Sequence, residues 1–94
     1  MFSVGIDVSK SKSTIAIMSQ NGEIVRTPFE ITHSEYGLSS LVEMICSLNG
    51  EVRIVMESTG VYHLPVLNYL KDKQFFVSVV NPFVIQRYLA MNIP

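Results

Sequence analysis

The sequence has no tryptophan, a single cysteine and no excess of either charge, and each shortage narrows what the chain can be. With one thiol, Cys46, no internal disulfide can form, so folding must rest on an apolar core. The lone thiol fits a reducing, cytoplasmic setting, and its place in an apolar helical stretch predicts a small core residue. Seven Lys and Arg against eight Asp and Glu leave a net charge of −1, which removes any argument from bulk electrostatics for nucleic-acid binding. No basic segment precedes an apolar one at the N-terminus, so no signal peptide is expected. No apolar run approaches the ~20 residues of a spanning helix, so no membrane partner is expected either. Repeats, low-complexity tracts and a G-x-G-x-x-G after the first strand are all missing; the last absence argues against a Rossmann domain.

What remains is a chain of 94 residues, 48% hydrophobic, which suits a single domain over 1–94 with one core. Residues 2–8 alternate, with Phe2, Val4, Ile6 and Val8 on one side and Ser3, Gly5 and Asp7 on the other, as in a strand. A second strand is expected over 13–19 (STIAIMS). Asn21-Gly22 then marks a hairpin, and a third strand runs to about Ile31. Leu38, Leu41, Val42, Ile45 and Leu48 recur at helical spacing over about 34–48, and Asn49-Gly50 closes that helix.

The rhythm then changes. VRIVME (52–57) and FFVSVV (75–80) are the nearly unbroken apolar runs of buried parallel strands. Between them Leu64, Leu67 and Leu70 predict a helix starting near 61, with Pro65 in its first turn. Asn81-Pro82 looks like the start of a last helix, with Val84, Ile85, Tyr88 and Leu89 on its apolar face. The order β-β-β-α-β-α-β-α is that of the ribonuclease H-like α/β fold, a mixed five-stranded sheet with right-handed crossovers. The chain stops at LAMNIP within an apolar helical pattern, so the fold is expected to be truncated at its C-terminus.

In that fold Asp7 ends the first strand and Glu57 the fourth, on parallel neighbours, so both carboxylates should emerge at one edge. Two like charges that close repel unless a cation sits between them. Hard oxygen donors with open positions suit Mg²⁺ or Mn²⁺, and metals held this way stabilise both oxygens of an in-line phosphoryl displacement. Strand-end carboxylates also serve as turn formers or solvated groups, and spacing alone leaves both readings open. Glu23, Glu30, Glu35, Glu43, Glu51 and Asp72 look like loop or solvent-face charges, so further ligands would have to lie beyond Pro94.

GIDVSKSKSTIAI, MESTGVYHLPVLNYL and VVNPFVIQRY, in that order, resemble the N-terminal domain of the RuvC-like DEDD transposases. These belong to the one-ten group of bacterial insertion sequences, kin of the Piv invertase, and the resemblance covers essentially the whole chain. It implies that Asp7 and Glu57 are the first two acidic residues of the catalytic, metal-binding DEDD set. The other two follow a K-T-D-x-x-D pattern past the end of this sequence. It further implies DNA transposition by metal-dependent strand cleavage and transfer, with two Mg²⁺ or Mn²⁺ ions in the complete site and guidance by an element-encoded RNA. Residues 1–94 alone would hold half an acidic site and are expected to be inactive.

Around this pair, Lys10, Ser58, Thr59 and Arg87 are candidate nucleic-acid contacts. Each has an ordinary alternative: a solvated lysine, a cap for the next helix, a solvated helix face. His63 lacks a second His or Cys at ligand spacing, and Ser9 lacks a base. Two other functions compete. One is a non-catalytic assembly module, whose uncovered last helix would drive homo-oligomers. The other is the first lobe of an actin-like sugar kinase, which would want glycine where Ser9 stands.

Overall fold

The computed structural model describes residues 1–57 and 60–80. Strands β1 (Phe2–Val8), β2 (Lys12–Ser19) and β3 (Ile24–Thr32) form an antiparallel meander. Helix α1 (Glu35–Ser47) returns the chain to β4 (Val52–Glu57), and α2 (Leu64–Asp72) leads to β5 (Val77–Val80). Both β1–β4 and β4–β5 are parallel pairs, and the sheet order is β3-β2-β1-β4-β5. This is the mixed five-stranded ribonuclease H-like arrangement that the element order predicts. The expected last helix, from Asn81 on, lies outside the described residues.

The hairpin after β2 forms where Asn21-Gly22 placed it. Gly22 has φ 81°, a left-handed conformation that glycine adopts without steric penalty, and Ser19 N donates to Glu23 O at 2.8 Å across the turn. Pro28 sits within β3, an outer strand where proline is tolerated, and the β2–β3 register shifts between Ile15 and Ile17 and again between Ile17 and Met18.

Alternation in β1 buries Val4, Ile6 and Val8 on one face, where Ile15 and Ile17 of β2 and Ile54 and Met56 of β4 join them. Leu38, Leu41 and Ile45 of α1 and Val66 and Leu70 of α2 complete the same cluster, so both helices cover one side of the sheet. Each such aliphatic side chain contributes about 1.5–3 kcal/mol by leaving water. Asp7 belongs to the other side.

Four local expectations change. Cys46 is exposed, because the inward stripe of α1 runs Leu38–Leu41–Ile45 and leaves position 46 on its solvent side. The second helix begins at Leu64, and Leu64 itself is 42% exposed; its inward residues are Val66 and Leu70. Phe75 and Phe76 precede β5 instead of joining it, and Phe76 is 85% exposed. β5 is also only partly buried, since it is the outer strand of the described sheet and pairs with β4 alone.

Near the start of β2, Ser13 is buried and its Oγ lies 2.7 Å from His33 Nε2, which ties β2 to the segment entering α1. Partial burial pushes the His33 pKa below its ordinary 6.5. Because the unfolded chain then takes up this proton first, the neutral ring's contribution to stability is complete above pH 6.5. It declines below that value and is gone once pH has fallen through the lower folded pKa. Denaturant midpoints of the native protein should therefore fall on acidification through this window more than those of His33→Gln.

Candidate active site

The last β1–β4 register pair is Ile6 with Met56, so Asp7 and Glu57 occupy the next position on each strand. Adjacent strands lie about 4.8 Å apart, and by alternation both residues belong to the side of the sheet away from α1 and α2. Residues remote in the chain thus meet at one edge. Asp7 is exposed, and its side chain has no hydrogen bond or ion pair among the described residues, whereas Glu57 is 8% exposed. One carboxylate is therefore open to a ligand from solvent and the other is held where the dielectric is lower.

The cross-strand row continues outward. Thr14 of β2 pairs with Asp7, Glu30 of β3 pairs with Thr14, and Val80 of β5 pairs with Glu57. Glu30 is two strands from Asp7, roughly 10 Å away at ordinary spacing. It is also engaged by Lys12, 3.2 Å from its Oε2. Glu30 therefore stays apart from the pair. Glu23, Glu35, Glu43, Glu51 and Asp72 are all exposed, and Glu35 accepts from the Tyr69 hydroxyl at 3.1 Å. Among the described residues no group of three or more His, Cys, Asp or Glu is placed to hold a metal.

Lys10 is exposed in the β1–β2 turn, which Ser9 closes by donating from its backbone N (2.9 Å) and Oγ (2.8 Å) to the Lys12 carbonyl. That bond occupies the Ser9 hydroxyl. Ser58, Thr59 and Arg87 lie outside the described residues.

One residue at this edge departs from its expected surroundings. His63, just ahead of α2, heads the inward stripe that Val66 and Leu70 continue; it is 9% exposed and its Nδ1 has no partner among the described residues. An unsatisfied buried nitrogen of this kind costs about 1–3 kcal/mol. Around it Val61, Tyr62 and Leu64 are 65%, 44% and 42% exposed. The signal was present in the spacing His63–Val66–Leu70, which competes with Leu64–Leu67–Leu70 and differs from it by one residue at each of the first two positions.

The donor set fits a divalent ion. Mg²⁺ commonly binds through one or two carboxylates and completes its shell with water and substrate phosphate oxygens, and two neighbouring hard oxygen donors meet that need. No helix among the described residues is long and apolar enough to cross a membrane.

Similar architecture occurs in solved structures. T. thermophilus RuvC, determined in complex with a Holliday junction substrate, is 13% identical with a TM-score of 0.67, over 96% of this chain and 70% of that one. Archaeoglobus fulgidus Pelota is 14% identical with a TM-score of 0.60, over 98% of this chain and 31% of that one. At such identities the likeness is one of fold, and it establishes the RuvC-like architecture. No curated protein matches the sequence. The profile of the DEDD transposases of the IS110 type, described as transposase, matches residues 4–94, from the middle of β1 through the last residue. The chain therefore belongs to the DEDD transposase family.

Proposed function

We propose that this domain serves DNA transposition by metal-dependent strand cleavage and transfer, with Asp7 and Glu57 holding a divalent ion, Mg²⁺ or Mn²⁺. The observation that carries this reading is the register that makes an exposed aspartate and a buried glutamate neighbours on one sheet face. Membership in the transposase family supports DNA as the substrate and sets aside the sugar-kinase reading. The Holliday junction bound by T. thermophilus RuvC supports the same partner class. A guide RNA, implied by the family resemblance, self-association, argued from the apolar sequence pattern of Val84, Ile85, Tyr88 and Leu89, and a second ion complete the reading.

The electrostatics point the same way. A domain of net charge −1 whose candidate site is a carboxylate pair repels a phosphodiester. A bound divalent ion would supply the positive charge and Lewis acidity that let a phosphate approach and react there. The chain's own part is positional. Asp7 is fixed at the last turn-out of β1 by pairing with Thr14 on one side and by the β4 register on the other. Glu57, being buried, keeps its carboxylate oriented, so the pair loses little freedom when a ligand arrives.

Titration with Mn²⁺, followed by the loss of the free-ion paramagnetic resonance signal, tests the assignment. The native protein should bind the ion and Asp7→Asn should bind it at least ~10-fold more weakly, in line with the sensitivity of metal sites to a single altered group. Equal binding by the two proteins would sink the assignment of Asp7.

A further inference from the structure

Immediately ahead of α2, over the described residues 60–64, a polar side chain is hidden while apolar ones are displayed. His63 is buried in the stripe with Val66 and Leu70, while Val61, Tyr62 and Leu64 face solvent. Core packing alone favours the opposite arrangement, and departures from local rules concentrate where function requires them. The stretch from Val61 into α2 is held by local hydrogen bonds. Leu64 N donates to Val61 O at 3.1 Å, Leu67 N donates to His63 O at 2.9 Å, and Gly60 supplies the left-handed residue at φ 60°. Tyr62 is therefore presented from a fixed base, which lowers the entropic cost of contact.

We propose that Tyr62, flanked by Val61 and Leu64, receives an unstacked nucleobase of the DNA whose backbone the carboxylate pair addresses, an inference that rests on the DNA-processing reading above. Tyr62 follows Glu57 by five residues, so the two lie within about 18 Å even for extended chain, a span of a few nucleotides. Stacking on an aromatic ring is tolerant of base identity and needs no positive charge. It provides the affinity that a domain of net charge −1 cannot draw from phosphate contacts. A second copy of the chain fits the patch less well. Three side chains on one turn fall far short of the ~800 Å² per partner that a standard interface covers.

The test uses a gapped DNA duplex with 2-aminopurine opposite the gap, and a fully paired duplex as control, both with Mg²⁺. The native protein and Tyr62→Phe should quench the fluorophore. Tyr62→Ala should lose the quench and bind the gapped duplex about 5- to 150-fold more weakly, the range for removing one stacking platform. Its affinity for the paired control should match the native protein's. Because Tyr62 is half exposed, the variant should keep the native far-ultraviolet circular dichroism, which is checked first. Unchanged binding and quenching by Tyr62→Ala overturns the base contact, while loss of Mn²⁺ by Asp7→Asn would still uphold the metal site. Failure of the native protein to bind either duplex also overturns it, and the Mn²⁺ titration then shows whether the metal assignment falls too. If Tyr62→Ala instead turns a sedimenting dimer into a monomer and leaves DNA binding intact, a second copy occupies the patch and the inference fails.

Discussion

Glu57→Gln is expected to remove metal-dependent DNA strand cleavage by the transposase while leaving the domain folded. Glutamine keeps the shape of the side chain and one carbonyl-type acceptor but gives up the charge. In a buried position that charge acts through a lower dielectric than it would in water, so its loss is felt more strongly. Altering groups one step removed from a metal typically costs 10- to 100-fold, so if Glu57 ligates the ion as proposed, deleting its charge should lower the rate by ~100-fold or more. Single-turnover cleavage by the full-length transposase at saturating Mg²⁺ is the measurement. An unchanged rate would exclude Glu57 from the site. The companion change Glu57→Asp keeps the charge and shortens the reach, so activity falling between the native and Gln values would show that both charge and position matter.

Gly37→Ala should be the most damaging single-methyl change in the described fold. Gly37 lies in the first turn of α1, buried, where Ser34 caps the helix by accepting from Gly37 N at 3.1 Å. A Cβ there would overlap the Thr32 carbonyl oxygen and stand 2.6 Å from Thr32 Oγ1. The obstacle is the backbone of β3, which cannot rotate away as a side-chain tip could. Relief would require lifting α1 off the sheet and would strain the cap, together with the 2.7 Å contact between Thr32 Oγ1 and Ser34 Oγ. Overpacking of this kind costs about 1–3 kcal/mol and a lost cap about 1 more. At about 4–8 °C per kcal/mol for a domain of this size, the thermal midpoint should drop by roughly 10–25 °C. A melting curve within a few degrees of the native one would show that α1 moves more freely than its packing implies. Gly5→Ala makes the contrast, because a Cβ there meets only Ala16 O at 4.0 Å.

Much of this architecture was legible in the sequence, and the reasons differ from element to element. β1 announced itself through strict alternation, and a period of two admits only one assignment of faces once Val4, Ile6 and Val8 are inside. The β2–β3 hairpin followed from Asn21-Gly22, whose conformational demand is local. Cys46 and Leu64 were misplaced for a common reason. An apolar stretch on a helix is often wider than the stripe that its neighbour covers, and only the packing partner selects the phase. FFVSVV misled for another reason: a buried strand needs neighbours on both sides, and β5 has β4 on one side only among the described strands.

Likewise the candidate site divides between what is local and what is not. That Asp7 and Glu57 stand at strand ends is a property of the sequence pattern, as is the resemblance of the motifs around them to the transposase family. That they are neighbours is a property of the β1–β4 pairing, in which Ile6 meets Met56. A slip of one residue in that pairing would turn Glu57 toward the helical side and separate the carboxylates, so the register enforced by the shared core decides the site. The unequal burial of the two acids, the tie of Glu30 to Lys12 and the turning of His63 inward with Tyr62 outward were decided the same way. Local sequence sets which conformations are available to a segment; which side chains water reaches is set by the segments that pack against it.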